Sequence, residues 1–178
     1  GVSLLLCQFA SAQRRPSTLV STDVQADNSV IFRIKAPDAQ KVSVSGTWPR
    51  ALGNTLPMIK KDSIFEVKVG PIPSDMYEYE FIVDGIPALD PNSSLVTRDG
   101  AWIQGAFFVP GAEADVYDTK QVPHGTMTSL WYNSPSIGME RKMNIYTPPG
   151  YEKGKKKYPV MYLLHGGGGD EDGWVNRG

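Results

Sequence analysis

Sulfur and imidazole are scarce in this chain. One cysteine, Cys7, and two histidines, His124 and His165, stand among 178 residues. A single cysteine rules out an internal disulfide framework. Charge of one sign is missing too: 18 Lys and Arg against 19 Asp and Glu leave a net charge of -1. Nothing in that balance recommends nucleic acid or an anionic membrane as a partner. No apolar run reaches the ~20 residues that a membrane-spanning helix needs. Internal repeats and low-complexity tracts are also absent. What remains is an ordinary folded composition, 40% hydrophobic and 21% charged, with 18 Gly and 14 Pro. That much glycine and proline suits many short strands and turns.

The first residues bear on location. Val2 to Ala12 is apolar or small, with Leu4-Leu5-Leu6 at its centre and Ala10-Ser11-Ala12 at its end. This is the apolar segment and small-residue cleavage pattern of a secretory signal, with the cut expected before Gln13. Residues 1–12 are therefore read as the remnant of a signal peptide whose start is missing; a short apolar terminal strand is the alternative. Leu6 stands where a lipoprotein signal would carry a small residue before Cys7, so plain secretion is expected. Loss of Cys7 with the signal would leave a cysteine-free chain, compatible with a bacterial periplasm or exterior.

Residues 19–110 read as an all-β unit. Val30, Phe32 and Ile34 alternate with Ile31, Arg33 and Lys35, as in a half-buried strand. Val42 and Val44, then Phe65, Val67 and Val69, repeat the pattern. Over Met76 to Val83, Tyr77, Tyr79, Phe81 and Val83 share one face opposite Glu78 and Glu80. Asp84-Gly85 predicts a tight hairpin turn, Asp90-Pro91-Asn92 a break, and Ala101 to Val109 a last strand. Six or seven such strands predict a β-sandwich of immunoglobulin-like type. Residues 111–121 are small and polar and read as a linker. In residues 122–178, Thr126 to Tyr132 and Glu140 to Tyr146 predict a hairpin, and Tyr158 to Leu164 a continuous apolar strand of the kind buried in α/β sheets. The lysines at 153, 155, 156 and 157 suit a solvated turn.

That apolar run leads into His165-Gly-Gly-Gly-Gly169-Asp-Glu-Asp-Gly-Trp174. A buried strand entering His-Gly-Gly-Gly is the layout of an oxyanion loop in an α/β-hydrolase. Acyl transfer puts negative charge on a carbonyl oxygen, and preset backbone N–H groups must meet it. Glycines let the backbone come that close. A phosphate cradle is disfavoured, since neither the dinucleotide glycine pattern nor a Walker lysine follows. A metal site with Asp170, Glu171 and Asp172 is disfavoured by the single nearby histidine, and those carboxylates are expected in solvent or capping a following helix. His165 is expected to order the loop. The base of this fold comes after the nucleophile, and no Gly-x-Ser-x-Gly elbow occurs in these residues. No catalytic nucleophile, acid or base is assigned here, and His124 is expected to be structural.

Val122-Pro-His-Gly125, Trp131-Tyr132, Tyr146-Thr-Pro-Pro-Gly-Tyr151, Tyr158-Pro-Val160 and Leu163-Leu-His-Gly-Gly-Gly168 through Trp174 together resemble the start of carbohydrate esterase family 1. That family includes feruloyl and acetylxylan esterases, with enterochelin-esterase-like proteins related to it. The resemblance implies that His165, Gly166, Gly167 and Gly168 form the oxyanion loop and that Trp174 lies near the active-site mouth. It further implies that residues 122–178 begin a truncated α/β-hydrolase domain whose Ser, acid and His lie downstream.

The preceding β unit is similar to the early-set sandwiches of carbohydrate-binding module family 48. The likeness rests on Val42-Ser-Val-Ser-Gly46-Thr-Trp48, Tyr77-Glu-Tyr-Glu-Phe81-Ile-Val-Asp-Gly85 and Asp90-Pro91. It departs from that family's fuller Asn-x-Trp pattern, because only Thr47 separates Trp48 from the glycine. Trp48 and Trp102 are the candidates for stacking on a sugar ring; a scaffold or substrate-orienting role is the other reading of the unit. The resemblances together imply an exported serine esterase acting on acylated plant polysaccharide, on feruloyl or acetyl esters of xylan, through an acyl-enzyme and without metal or organic cofactor. A siderophore esterase and a non-catalytic carbohydrate-binding module are the alternatives, and the oligomeric state is left open.

Overall fold

The computed structural model describes residues 18–176; the expected signal segment lies outside them. The described chain is almost entirely strand and turn, with three short 3-10 turns as its only helical pieces. In chain order the strands are β1 (Thr22–Val24), β2 (Val30–Lys35), β3 (Val42–Gly46), β4 (Thr55–Pro57), β5 (Ile59–Lys61) and β6 (Ile64–Val69). There follow β7 (Asp75–Val83), β8 (Ile86–Ala88), β9 (Val96–Asp99), β10 (Trp102–Val109), β11 (Thr126–Ser134) and β12 (Met139–Thr147).

Two antiparallel sheets make up the first unit. One runs β1-β2-β6-β5 and the other β4-β3-β7-β10-β9, with β8 also on β7. The edge of β7 is shared in sequence: β10 pairs along it up to Tyr79, and β8 takes Phe81 to Val83. Asp84 at φ 49° and Gly85 at φ 88° close that second hairpin, as the Asp-Gly pair predicts. The Asp84 carboxylate accepts the Gln40 and Lys41 amides, tying the turn to the strand beside it.

Alternation translates into a common core. Val30, Phe32 and Ile34 of β2 and Phe65 and Val69 of β6 face Val42 and Val44 of β3, Tyr77, Tyr79 and Phe81 of β7, and Phe107 and Val109 of β10. Phe32 sits at the centre, its ring 5.3 Å from Tyr79, 5.4 Å from Trp48 and 5.4 Å from Phe107. Tilted and edge-on aromatic pairs of this kind contribute about 0.5–1.5 kcal/mol each beyond their buried area. Trp48 is a core residue, only 2% exposed. Its indole Nε1 donates to the Gly53 carbonyl at 2.6 Å, and Gly46 must be glycine because a Cβ there would collide with the Trp48 ring. The reading of Trp48 as a sugar-stacking platform is thereby corrected: both ring faces are taken up by packing.

Five of the ten strands in this unit, β1, β4, β5, β8 and β9, leave no alternating pattern in the sequence. Each has only three or four residues, too few for alternation to register. The polar breaker at Asp90 also proves to be more than a turn. Its buried carboxylate accepts the Tyr79 hydroxyl at 2.5 Å, the Ser21 hydroxyl at 3.0 Å and the Asn92 amide at 2.8 Å. Burial, and then the bond to Asp90, holds the Tyr79 phenol well above its ordinary pKa.

The segment expected to be a linker is partly fastened down. Ala114 within the 3-10 turn Ala114–Tyr117 is buried, its amide donates to Ser74 Oγ at 3.2 Å, and Tyr117 packs on Phe108. Beyond it, β11 and β12 form the expected hairpin, paired residue for residue from Thr126↔Thr147 to Ser134↔Met139. Tyr158 to Leu164, expected as a buried strand, forms no regular secondary structure and is exposed throughout. A strand needs a hydrogen-bonding neighbour, and an apolar one needs cover on its faces. No described strand lies alongside it to provide either.

Candidate functional site

The glycine-rich loop forms a tight turn. Gly169 N donates to Gly166 O at 3.2 Å, and Gly168 takes φ 86° at the third position of that turn. This is where a type II turn requires glycine. The amides of Gly166, Gly167 and Gly168 have no hydrogen-bond partner among the described residues. A Cβ at Gly166 or Gly167 would meet nothing within 4 Å, so that side of the turn is open. Free N–H groups on an accessible turn are the chemistry by which a developing oxyanion is stabilised.

His165 precedes the turn and is exposed, with Nδ1 2.8 Å from the Gly166 carbonyl oxygen. It contacts the loop's own backbone and no nucleophile. Trp174 closes the loop from the other side, its indole Nε1 donating to Leu164 O at 3.1 Å while the ring stays about half exposed. His124 lines a separate shallow cleft with Thr126, Thr147, Pro148 and Tyr151 at the base of the hairpin, and shares no residue with the glycine loop.

The far side of the turn is closed off by the two-sheet unit. β9 and β10 are joined by Gly100-Ala101, with Gly100 at φ 59°, and this hairpin tip abuts the glycines. A Cβ on Gly100 would collide with the Gly168 carbonyl oxygen, one on Gly168 would lie 2.9 Å from the Trp102 ring, and one on Gly169 2.5 Å from Asp99 Oδ1. Trp102, 62% exposed, thus lies at the loop's flank with most of its ring in solvent.

The acidic run following the glycines, expected from the sequence in solvent or capping a helix, is partly buried in an ion-pair network. Arg98 Nη1 binds Asp170 Oδ2 at 2.6 Å and Arg98 Nη2 binds Asp172 Oδ2 at 2.9 Å. Lys142 of β12 pairs with Asp172 at 3.2 Å and Glu171 at 3.4 Å, and Asn144 Nδ2 donates to Asp172 Oδ1 at 2.8 Å. The Asn144 amide first, then Lys142 and Arg98, hold the Asp172 carboxyl below its ordinary pKa. Residues 72 and 74 positions apart meet here, beyond the reach of any local pattern. No group of three His, Cys, Asp or Glu side chains that could hold a metal ion forms among the described residues. Nor is any helix there long and apolar enough to cross a membrane.

No protein-family model matches the chain. Over 162 residues it is 32% identical to an endo-1,4-beta-xylanase/feruloyl esterase of Xylanibacter ruminicola, a match covering 87% of this chain and 22% of that protein. A stretch of 46 residues, 24% of this chain and 10% of the relative, is 41% identical to an esterase of Mycobacterium tuberculosis. The chain therefore spans about a fifth of the length of the first relative, and by sequence it is related to esterases. Among solved structures, the enterobactin esterase of Shigella flexneri superimposes with a TM-score of 0.48 at 12% identity, covering 64% of this chain and 38% of that one.

Proposed function

We propose that this chain is the leading part of an exported serine carboxylic-ester hydrolase acting on acylated plant polysaccharide, with feruloyl or acetyl esters of xylan as substrates. In this reading residues 19–110 are an early-set, immunoglobulin-like sandwich, and residues 122–178 open an α/β-hydrolase domain. His165, Gly166, Gly167 and Gly168 supply the oxyanion loop. The observation that carries the proposal is the glycine turn, in which the amides of Gly166, Gly167 and Gly168 have no partner among the described residues and the side at Gly166 and Gly167 is open, in a chain related to a xylanase/feruloyl esterase.

The loop's part in the reaction is electrostatic. A serine oxygen attacks the ester carbonyl, the carbonyl oxygen gains negative charge, and preset amides stabilise it without reorganising. Losing one such donor typically raises the barrier by about 3 kcal/mol. His165 restrains the turn through its backbone contact, and Trp174 fixes the loop's exit by its bond to Leu164. Neither supplies a proton to the reaction.

The test has two arms. The coding sequence past Gly178 is expected to contain Gly-x-Ser-x-Gly within about a hundred codons, then an acid and a histidine in that order. The 178 residues alone are expected to show no turnover of p-nitrophenyl acetate. Absence of the downstream elbow, or hydrolysis by this chain alone, overturns the assignment.

A further inference from the structure

Arg98 belongs to the two-sheet unit, at the end of β9, yet its guanidinium is the meeting point of two chain segments. Nη1 donates to the Gly100 carbonyl at 3.0 Å and to Asp170 at 2.6 Å, while Nη2 donates to Asp172 at 2.9 Å. The same side chain thus fixes the hairpin tip on which Gly168 rests and the acidic run into which the glycine turn leads. Asp170 passes the restraint on, because its Oδ1 accepts the Asp172 amide at 3.1 Å.

Two separate kinds of contact meet at this place. One is the charged network, in which a planar fork holds two carboxylates, something a point charge does less well. The other is steric: Gly100, Gly168 and Gly169 allow a backbone approach that no side chain would permit. An isolated exposed ion pair contributes little. This one is a network of two cations and three carboxylates, each side chain between 25% and 36% exposed, seated against backbone already in contact.

We infer that Arg98 is a positioning residue for the glycine turn: from β9 it holds Gly166–Gly169 against the two-sheet unit, which makes that unit part of the loop's framework and not a separately folded attachment. Calling the held loop an oxyanion loop rests on the function proposed above; the restraint itself does not. The unit's contribution to ester hydrolysis then lies in keeping the amides of Gly167 and Gly168 oriented before substrate arrives, the condition under which such donors are effective.

The experiment uses the whole 178-residue chain, labelled with 15N, and reads backbone order parameters at Gly166 to Gly169. In the wild type these are expected near the rigid value of ~0.85, and in Arg98→Gln below ~0.6. The Trp48 indole signal, deep in the core, should stay in place. Asp170→Asn with Asp172→Asn should give the same loss, and adding Arg98→Gln to that pair should change little more, as groups in one network behave. Arg98→Lys should recover part of the order, since an ammonium binds one carboxylate but lacks the fork.

Unchanged loop order in Arg98→Gln overturns the inference. So does a loss that travels with the Trp48 signal and is not reproduced by the two aspartate changes. Should Arg98→Gln fail to fold, the aspartate variant, altered only in the loop, decides alone. The readout needs no nucleophile, so a missing downstream elbow would remove the esterase reading and leave the restraint standing, while flexible glycines in the wild type would do the reverse.

Discussion

β7 and β11 are both nine-residue antiparallel strands, and both carry aromatic residues. Their surroundings differ completely. β7 has strands on both sides and a second sheet across its inner face, and its Tyr77, Tyr79 and Phe81 are nearly inaccessible. β11 has β12 on one side only, and Trp131 is 69% exposed and Tyr132 39%. Every residue of both strands pairs with at least one neighbouring strand, so the mere presence of a ladder does not separate them. Cover does. A strand's stability comes mainly from what packs on its faces, and a two-stranded hairpin has little of that to offer.

The sharpest way to break this contrast is to empty an equivalent volume in each region. Phe32→Ala removes the ring that Trp48, Tyr79 and Phe107 all touch. Denaturant titration followed by circular dichroism should show a loss of about 3–5 kcal/mol, the range for a buried phenylalanine cut to alanine. Trp131→Ala, exposed on the hairpin, should change the same transition by no more than about 0.5 kcal/mol. Equal effects would mean that the hairpin is packed on something of comparable extent, and the contrast would fail.

A second variant examines polar cover within the core. Asp90→Ala removes the acceptor of the Tyr79 hydroxyl and of Ser21. Leaving a buried donor without a partner costs about 1–3 kcal/mol. The penalty should shrink when Tyr79→Phe is added, because removing both partners of a buried hydrogen bond is far milder than removing one. A double variant as weak as the two single losses summed would show that the pair is not coupled.

How much of this was legible in the sequence follows from the same distinction. β2, β6 and β7 were readable because one face of each is buried and alternation records that. The Asp84-Gly85 turn and the β11–β12 hairpin were readable because turn residues act locally. Trp48 was misread because an aromatic after a glycine looks the same on a surface as in a core; only the position of Phe32 across the sheets decides it. Tyr158 to Leu164 has the composition of a covered strand, and composition does not supply the cover. At the candidate site, the glycines and Trp174 stood out by type and spacing. Arg98, Lys142 and Asn144 did not, because nothing within a few residues of them signals a partner tens of positions away.

Acid sharpens the comparison at its weakest joint. A carboxyl whose folded pKa is lowered contributes stability that is fully present above its unfolded value and is lost as pH falls through the folded one. Asp172 is such a group, held down by Asn144, Lys142 and Arg98. Within the two-sheet unit, Glu66 is lowered by Lys61 and Arg33, and Asp27, bonded by the Ser29 hydroxyl and amide, is lowered to about 2. All of these carboxylates are partly exposed and stand apart from the closed aromatic core. Stability should therefore be level from about pH 7 down to pH 5 and begin to fall below about pH 4, where unfolded carboxylates take up protons. Read by NMR, the amides of Gly166 to Asp172 should shift first, since charge anchors that loop, while the signals of Val30, Phe32 and Tyr79 hold. A midpoint shared by loop and core would show that the loop is held by packing alone, and would move it to the β7 side of the comparison.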